Sequence, residues 1–146
     1  MKHFKFLTIF LLFAVLPLSA ESLYVGEFNI RYDNEKDTEQ GDGWEVRCPV
    51  VCDILKVESF DIFGSQEVLH NQLEDILAAL PEYGYVGVGR NDGKTEGEYA
   101  AIFYKMDRIK CLSSGHFWLS ETPEIVGSKG WDAKYPRICT WGQFKD

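Results

Sequence analysis

Six short segments of the chain are predicted to be β-strands, the first because apolar and polar residues alternate along it and the second because it is a short apolar run that ends in polar residues. The predicted strands cover residues 22–31, 60–66, 83–89, 98–105, 109–119 and 137–144. Two further segments, 44–59 and 72–80, carry apolar residues at helical spacing, with Pro49 near the first turn of the longer one. The polar segment 33–43 is predicted to be a loop. Helices interspersed with strands predict an α/β layered architecture with mixed sheets.

The first twenty residues have the pattern of a secretory signal peptide rather than of a folded element. Lys2 and Lys5 form a basic start, and an apolar run follows over residues 6–18. Ala20 then offers a small residue for cleavage before the polar Glu21. The apolar run is shorter than the roughly 20 residues that a membrane-spanning helix needs. We therefore expect a secreted or periplasmic protein, with residues 1–20 removed and no membrane span afterwards.

Composition supports one folded unit over residues 21–146, because 45% of the chain is hydrophobic and 14% is aromatic. The formal net charge is −8, and removal of Lys2 and Lys5 with the leader makes it −10. Such an acidic surface disfavours broad electrostatic binding of nucleic acid. It does not exclude a small phosphoester that is held through a metal ion. No protein partner is predicted.

The four cysteines do not form a recognisable metal-binding pattern. Cys48 and Cys52 lie one turn apart on a predicted helix, which is a poor geometry for a disulfide. We therefore expect buried free thiols there. Whether Cys111 and Cys139 form a bridge is left open by the sequence.

Polar residues close or open three of the predicted strands, and an α/β fold tends to place its functional site at such positions. These residues are Asn29, Glu67 and Glu98. A carboxylate at the end of a buried strand is well placed to bind a hard cation such as Mg²⁺. Taken singly, each has a structural alternative: Asn29 as a turn residue, and Glu67 as a charge near a helix start.

The order of the sequence motifs along the chain favours a functional role of these residues over the structural alternatives. FNIR follows the first strand, and DIFGSQE, GRNDG and GEYAAIFY come after it in that order. In this order the segments resemble the endonuclease/exonuclease/phosphatase superfamily, with QE after an apolar strand as the most diagnostic piece. The later segments FWLSETP, GSKGWDA and PRICTW resemble a secreted bacterial branch of it. The resemblance extends over residues 23–144.

The resemblance implies a layered sandwich of two mixed β-sheets flanked by helices, and metal-dependent hydrolysis of a phosphoester with Mg²⁺ or Mn²⁺. It implies that Glu67 binds the metal and that Asn29 lies near metal and phosphate, with a catalytic role. Glu98 matches a position that supports a catalytic histidine in deoxyribonuclease-like members. Arg90 and Arg137 are candidate substrate-binding residues, because a guanidinium suits phosphate recognition. The substrate class stays open among nucleic acids, lipid head groups and sugar phosphates.

The chain departs from the family pattern after its midpoint. A TH pair, a GDxN motif and a terminal SDH are all missing, and His70 and His116 do not stand in the family's histidine contexts. We therefore expect the chain to cover only the N-terminal part of the domain and to be inactive alone. Two alternatives are a degenerate remnant or secreted binding module that keeps part of the fold without hydrolysis, or an unrelated secreted carbohydrate-binding domain. The second leaves the spacing of Asn29, Glu67 and Glu98 unexplained.

Overall fold

The computed structural model describes residues 22–146, so that the expected signal peptide lies outside the described residues. In chain order the elements are β1 (Val25–Asn29), α1 (Glu35–Glu39), α2 (Trp44–Glu58), β2 (Ile62–Val68), α3 (His70–Ala79), β3 (Tyr83–Val86), β4 (Tyr99–Lys105), β5 (Lys110–Trp118) and β6 (Ile138–Lys145). Over residues 22–146, none of the helices has the length and apolar character that crossing a membrane requires.

All six predicted strands and both predicted helices are present, with ends that differ by a few residues. The prediction of a loop over 33–43 is wrong, because this segment contains the short helix α1. Asn34 caps this helix by accepting a hydrogen bond from the backbone N–H of Asp37. Pro49 lies inside α2, past its first turn, where its missing N–H leaves the carbonyl of Glu45 without the usual helical donor.

The strands form two sheets, as an α/β layered fold requires. The first sheet has the order β1-β2-β4-β3 and is mixed, because β1 is parallel to β2 whereas β4 is antiparallel to both β2 and β3. The second sheet consists of β5 and β6 in antiparallel pairing. The two-sheet α/β class is therefore confirmed, and within residues 22–146 only the first sheet is mixed.

The hydrophobic core lies between the first sheet and the pair of helices α2 and α3. The rings of Phe63 and Phe103 stack at the centre of this sheet face, with centroids 4.8 Å apart. Leu55 of α2 and Leu73 of α3 cover them, and all four side chains are at most 1% exposed. The opposite sheet face meets β6. This shared apolar layer holds the helices and strands, and therefore their ends, in place.

The cysteines are free thiols, as expected for the first pair. The sulfur atoms of Cys48 and Cys52 are 4.0 Å apart on α2, too far for an S–S bond. Burial raises the pKa of Cys52 to about 11. Cys111 lies opposite Phe144 in the β5–β6 register, whereas Cys139 is in β6 itself and several residues away from that pair. The register therefore answers the open question: these two cysteines do not face each other.

Polar side chains, of which Gln72 and Asp37 are buried, hold the segment that follows β1. Arg47 donates hydrogen bonds to the carbonyl oxygens of Ile30 and Arg31, at 2.7 and 3.2 Å. Gln72, which is fully buried, donates to the carbonyl oxygen of Arg31 at 3.0 Å. The guanidinium of Arg31 in turn pairs with the carboxylate of Asp37 at 2.5 and 2.7 Å. This network fixes the chain directly beyond Asn29.

The Arg31–Asp37 pair makes the stability of the fold depend on pH. The hydrogen bond from Arg31 lowers the pKa of Asp37 to about 2, from an ordinary value of 3.8. Because the folded-state pKa is the lower one, the pair stabilises the fold above about pH 4, and this contribution is lost as the pH falls towards about 2. We expect Asp37→Asn to be less stable than wild type near neutral pH and to lose less stability across that acidic window.

Urea unfolding followed by tryptophan fluorescence at several pH values measures both effects. Asp42→Asn is the matched control, since Asp42 lies in the same segment but is exposed. Parallel pH profiles for wild type and Asp37→Asn would contradict this assignment.

Candidate functional site

Strand direction brings polar residues from distant parts of the chain to one edge of the molecule. Because β1 and β2 are parallel, their carboxyl ends lie together, with Asn29 opposite Gln66. Because β4 is antiparallel to β2, the residue before β4, Glu98, comes to the same edge. One cavity of about 260 Å³ is lined there by all five predicted site residues, namely Asn29, Glu67, Arg90, Glu98 and Arg137. The structure thus brings together every predicted residue, while their chemical roles stay predictions.

Glu67 reaches this cavity because β2 contains a bulge. Ser65 pairs with Ala101 and Val68 pairs with Tyr99, so that β2 has one residue more than β4 over this stretch. Glu67 lies in the bulge with a φ of +60°. This left-handed conformation costs a residue with a side chain on the order of 1–3 kcal/mol. The sequence analysis placed Glu67 just beyond the strand, whereas β2 continues through Val68 and the bulge releases Glu67 from the ladder.

Asn29 orients the carboxylate of Glu67. Its side-chain amide Nδ2 donates to Oε1 of Glu67 at 3.0 Å, and the backbone N–H of Tyr32 approaches Oε2 at 3.3 Å. The carbonyl oxygen Oδ1 of Asn29 accepts a hydrogen bond from the backbone N–H of Arg31 at 2.8 Å. Arg31 itself has a left-handed φ of +57°. The hydrogen-bond network beyond β1 holds this backbone and thereby fixes the direction of the Asn29 amide.

Arg90 and Glu98 form a bidentate ion pair across the loop between β3 and β4. Nη1 and Nη2 of Arg90 each lie 2.8 Å from one carboxylate oxygen of Glu98. The two side chains are only 12% and 22% exposed. Arg90 was predicted to bind substrate, but its guanidinium fork is directed at Glu98. Glu98 was predicted to support a histidine, and its partner within residues 22–146 is Arg90.

Arg137 also lines the cavity, and its guanidinium forms no ion pair with a carboxylate of the described residues. It lies directly before β6 and is exposed. Its backbone carbonyl accepts a hydrogen bond from Leu119 at 2.8 Å, which ties the start of β6 to the end of β5. Arg137 is therefore placed on a fixed backbone while its side chain stays free to bind an anion.

The two histidines within the described range make contacts with neighbouring side chains. Nδ1 of His70 lies 3.2 Å from the hydroxyl of Tyr99, and Nε2 lies 3.4 Å from the carboxylate of Glu74. His116 is exposed and packs edge-on against Trp118 at 5.5 Å. Tyr99 itself lines the cavity and was missed by sequence reasoning. Burial raises its pKa to about 12, so that its hydroxyl stays protonated at neutral pH.

The donor set of the cavity fits partial coordination of a hard cation. Glu67 is the carboxylate available for it, because both oxygens of Glu98 accept from Arg90. Residues 22–146 contain no cluster of three or more His, Cys, Asp or Glu side chains placed to hold a metal ion. Mg²⁺ is commonly bound through one or two carboxylates, with waters and substrate phosphate oxygens completing its shell. One oriented carboxylate is compatible with that type of binding.

Solved structures with the same arrangement of elements come from bacteria. A mannosyl-6-phosphatase of Bacteroides thetaiotaomicron VPI-5482 is 52% identical with a TM-score of 0.82, and the match covers 85% of this chain and 46% of that one. An endonuclease/exonuclease/phosphatase from Bacteroides vulgatus is 49% identical with a TM-score of 0.77, covering 85% and 46%. The chain has the endonuclease/exonuclease/phosphatase fold. It corresponds to the N-terminal part of that fold and spans less than half the length of these structures.

More distant comparisons agree with this fold. The human Nocturnin catalytic domain is 18% identical with a TM-score of 0.55, covering 72% of this chain and 41% of that one, which shows similarity of fold alone. An uncharacterized protein of Acanthamoeba polyphaga mimivirus is 31% identical over 94 residues, which make up 14% of its length. No family model matches the chain. The endonuclease/exonuclease/phosphatase fold thus rests on the solved structures.

The Arg90–Glu98 pair generates a prediction about stability. Glu98→Gln keeps the shape of the side chain but leaves the mostly buried guanidinium of Arg90 without a counter-ion. We expect this variant to lower the free energy of unfolding by about 1–3 kcal/mol. Urea unfolding measures the change, and Glu96→Gln is the control because Glu96 is exposed in the same loop. Unchanged stability of Glu98→Gln would show that the ion pair does not hold the loop.

Proposed function

We propose that this protein is a divalent-metal-dependent phosphoester hydrolase whose active site includes the cavity at the ends of β1, β2, β4 and β6. The observation that carries the proposal is the presence of Glu67, Asn29 and Arg137 around one cavity. A carboxylate for a cation and a guanidinium for phosphate oxygens are two elements of phosphoester chemistry. The 52% identity to a phosphatase supports the same reaction class.

Each residue has a distinct part in this proposal. Glu67 holds Mg²⁺ or Mn²⁺, and Asn29 keeps its carboxylate oriented through the 3.0 Å hydrogen bond. Arg137 binds the phosphate oxygens and neutralises part of their charge. The bound cation supplies Lewis-acid polarisation of the phosphoryl group. Arg90 and Glu98 form one rigid side of the cavity, because their side chains form an ion pair with each other.

A sugar phosphate is the substrate class that the comparisons favour. The relative that shares 52% identity with this chain is described as a mannosyl-6-phosphatase. A small substrate also agrees with a cavity of about 260 Å³ and with a net charge of −8, which disfavours long nucleic acids. Because residues 1–20 have the pattern of a signal peptide, we also propose that the reaction takes place outside the cytoplasm.

The activity is assigned to the whole protein rather than to these residues alone. The chain matches 46% of the length of the mannosyl-6-phosphatase, and the TH, GDxN and SDH motifs are not in its sequence. The histidines and aspartate that handle protons in the family belong to those motifs. Residues 21–146 on their own are therefore proposed to lack hydrolytic activity.

Replacement of Glu67 by Gln tests the metal role in the full-length protein. The amide keeps size and hydrogen bonding but removes the charge that a hard cation requires. We expect sugar-phosphate hydrolysis at limiting Mg²⁺ to fall roughly 100-fold or more, with partial rescue at high Mg²⁺. A titration of activity against Mg²⁺ and Mn²⁺, together with a thermal melt, separates metal affinity from loss of fold.

Glu82→Gln is the matched control, because Glu82 is an exposed glutamate before β3, at the opposite edge of the sheet. This variant should retain the wild-type metal dependence. If Glu67→Gln and wild type had equal activity at limiting Mg²⁺, Glu67 would not be a metal ligand and the proposed site would be wrong.

A further inference from the structure

We infer that Tyr135 is a specificity-determining residue that receives the sugar ring of the substrate at the rim of the cavity. The inference rests on the proposed function, because it names which side chain contacts the part of the substrate that is not phosphate. It depends on three features of the segment Lys134–Arg137: its position next to the cavity, its support by Arg90, and its exposed aromatic and cationic groups.

Tyr135 lies in the bend that precedes β6, two residues before Arg137, and Arg137 lines the cavity. Pro136 follows Tyr135 directly, and its ring fixes its own φ, which limits the conformations that this bend can adopt. The bend therefore places Tyr135 close in the chain to a residue of the cavity.

Arg90 supports the ring of Tyr135 from below. The guanidinium carbon of Arg90 lies 5.6 Å from the centroid of this ring, and Arg90 is itself a lining residue of the cavity. The bidentate pair with Glu98 prevents the guanidinium from turning away. A second tie is the hydrogen bond from Nε1 of Trp118 to the carbonyl oxygen of Arg90, at 2.7 Å. Tyr135 is thus held at the rim by a support that is rigid on several sides.

The ring is nevertheless not covered by the core. Tyr135 is 46% exposed, and the Nζ atom of the exposed Lys134 lies 5.0 Å from its centroid. Within residues 22–146 its hydroxyl makes no hydrogen bond with another side chain. An aromatic face carries negative charge density that attracts the polarised C–H groups of a sugar ring, and its hydroxyl can bond to sugar hydroxyls. Lys134 supplies further donors at the same place.

The arrangement separates the two halves of a sugar phosphate. Arg137 and Glu67 lie in the cavity, where the phosphoryl group belongs, and Tyr135 lies two residues from Arg137 at its rim. Lys134 and Arg137 flank Tyr135, so that a locally cationic rim is formed on a chain of net charge −8.

Two substrates that share the phosphate but differ in the ring test this role in the full-length protein. Mannose 6-phosphate carries a ring, whereas ethyl phosphate does not. We expect Tyr135→Ala to raise KM for mannose 6-phosphate about tenfold while kcat/KM for ethyl phosphate stays within about twofold of wild type. Tyr135→Phe keeps the ring and should stay close to wild type on both. Tyr24→Ala is the control, since Tyr24 is 49% exposed and precedes β1 at the opposite edge.

A binding measurement that does not need turnover distinguishes this inference from the proposed function. Saturation-transfer NMR of mannose 6-phosphate, with irradiation of the aromatic protons, should label the ring protons in wild type and much less in Tyr135→Ala. Labelling without any hydrolysis would leave the inference standing and remove the proposed function. Hydrolysis of both phosphates with an equal loss in Tyr135→Ala, or with no loss, would overturn the role of Tyr135 and leave the hydrolase intact.

Discussion

The pairing of β2 on both sides, parallel to β1 and antiparallel to β4, determines which residues meet at the cavity. A parallel neighbour brings a carboxyl end to the edge where β2 ends, and an antiparallel neighbour brings an amino end there. Asn29 and Glu98 therefore arrive at one place from opposite strand directions. The bulge in β2 brings Glu67 to the same cavity. Without the extra residue, Glu67 would stay in the hydrogen-bonded ladder, and its side chain would point to the sheet face that the alternation along β2 gives it. The left-handed φ of Glu67 is the local cost of this placement.

Charges around the cavity divide into those that hold the protein together and those that are free for a ligand. Arg90 with Glu98 belongs to the first group, because the bidentate pair at 2.8 Å balances the two charges in a half-dry environment. Arg137 and Glu67 belong to the second group. The division is the reason why we propose different roles for two arginines on one cavity: the surroundings of each guanidinium, rather than its residue type, decide what it can bind.

The sequence predicted those features that depend on local pattern. Strand and helix positions follow from hydrophobic period, and the five candidate residues, which strand ends and loops had indicated, line one cavity while their roles stay predictions. Helix α1 was missed because it has no apolar period; it is held by the cap of Asn34 and by the pair between Arg31 and Asp37. The bulge was missed because it exists only relative to β4. The Arg90–Glu98 pair was missed because loop closure, and not spacing, brings the two residues into contact.

Whether an acidic protein can bind a phosphate depends on the charged groups close to the binding site rather than on the net charge of the chain. At physiological salt the Debye length is about 8 Å, so that exposed carboxylates beyond that range contribute little to the potential in the cavity. Arg137 acts at contact distance, and the negative charge of Glu98 is offset by Arg90. The remaining nearby carboxylate, Glu67, would repel a phosphate if it were alone. A divalent cation on Glu67 reverses the sign of that interaction, since the ion then carries the largest charge in the site. In the proposed site, the cation on Glu67 is therefore what makes an acidic chain with one free arginine suited to phosphate.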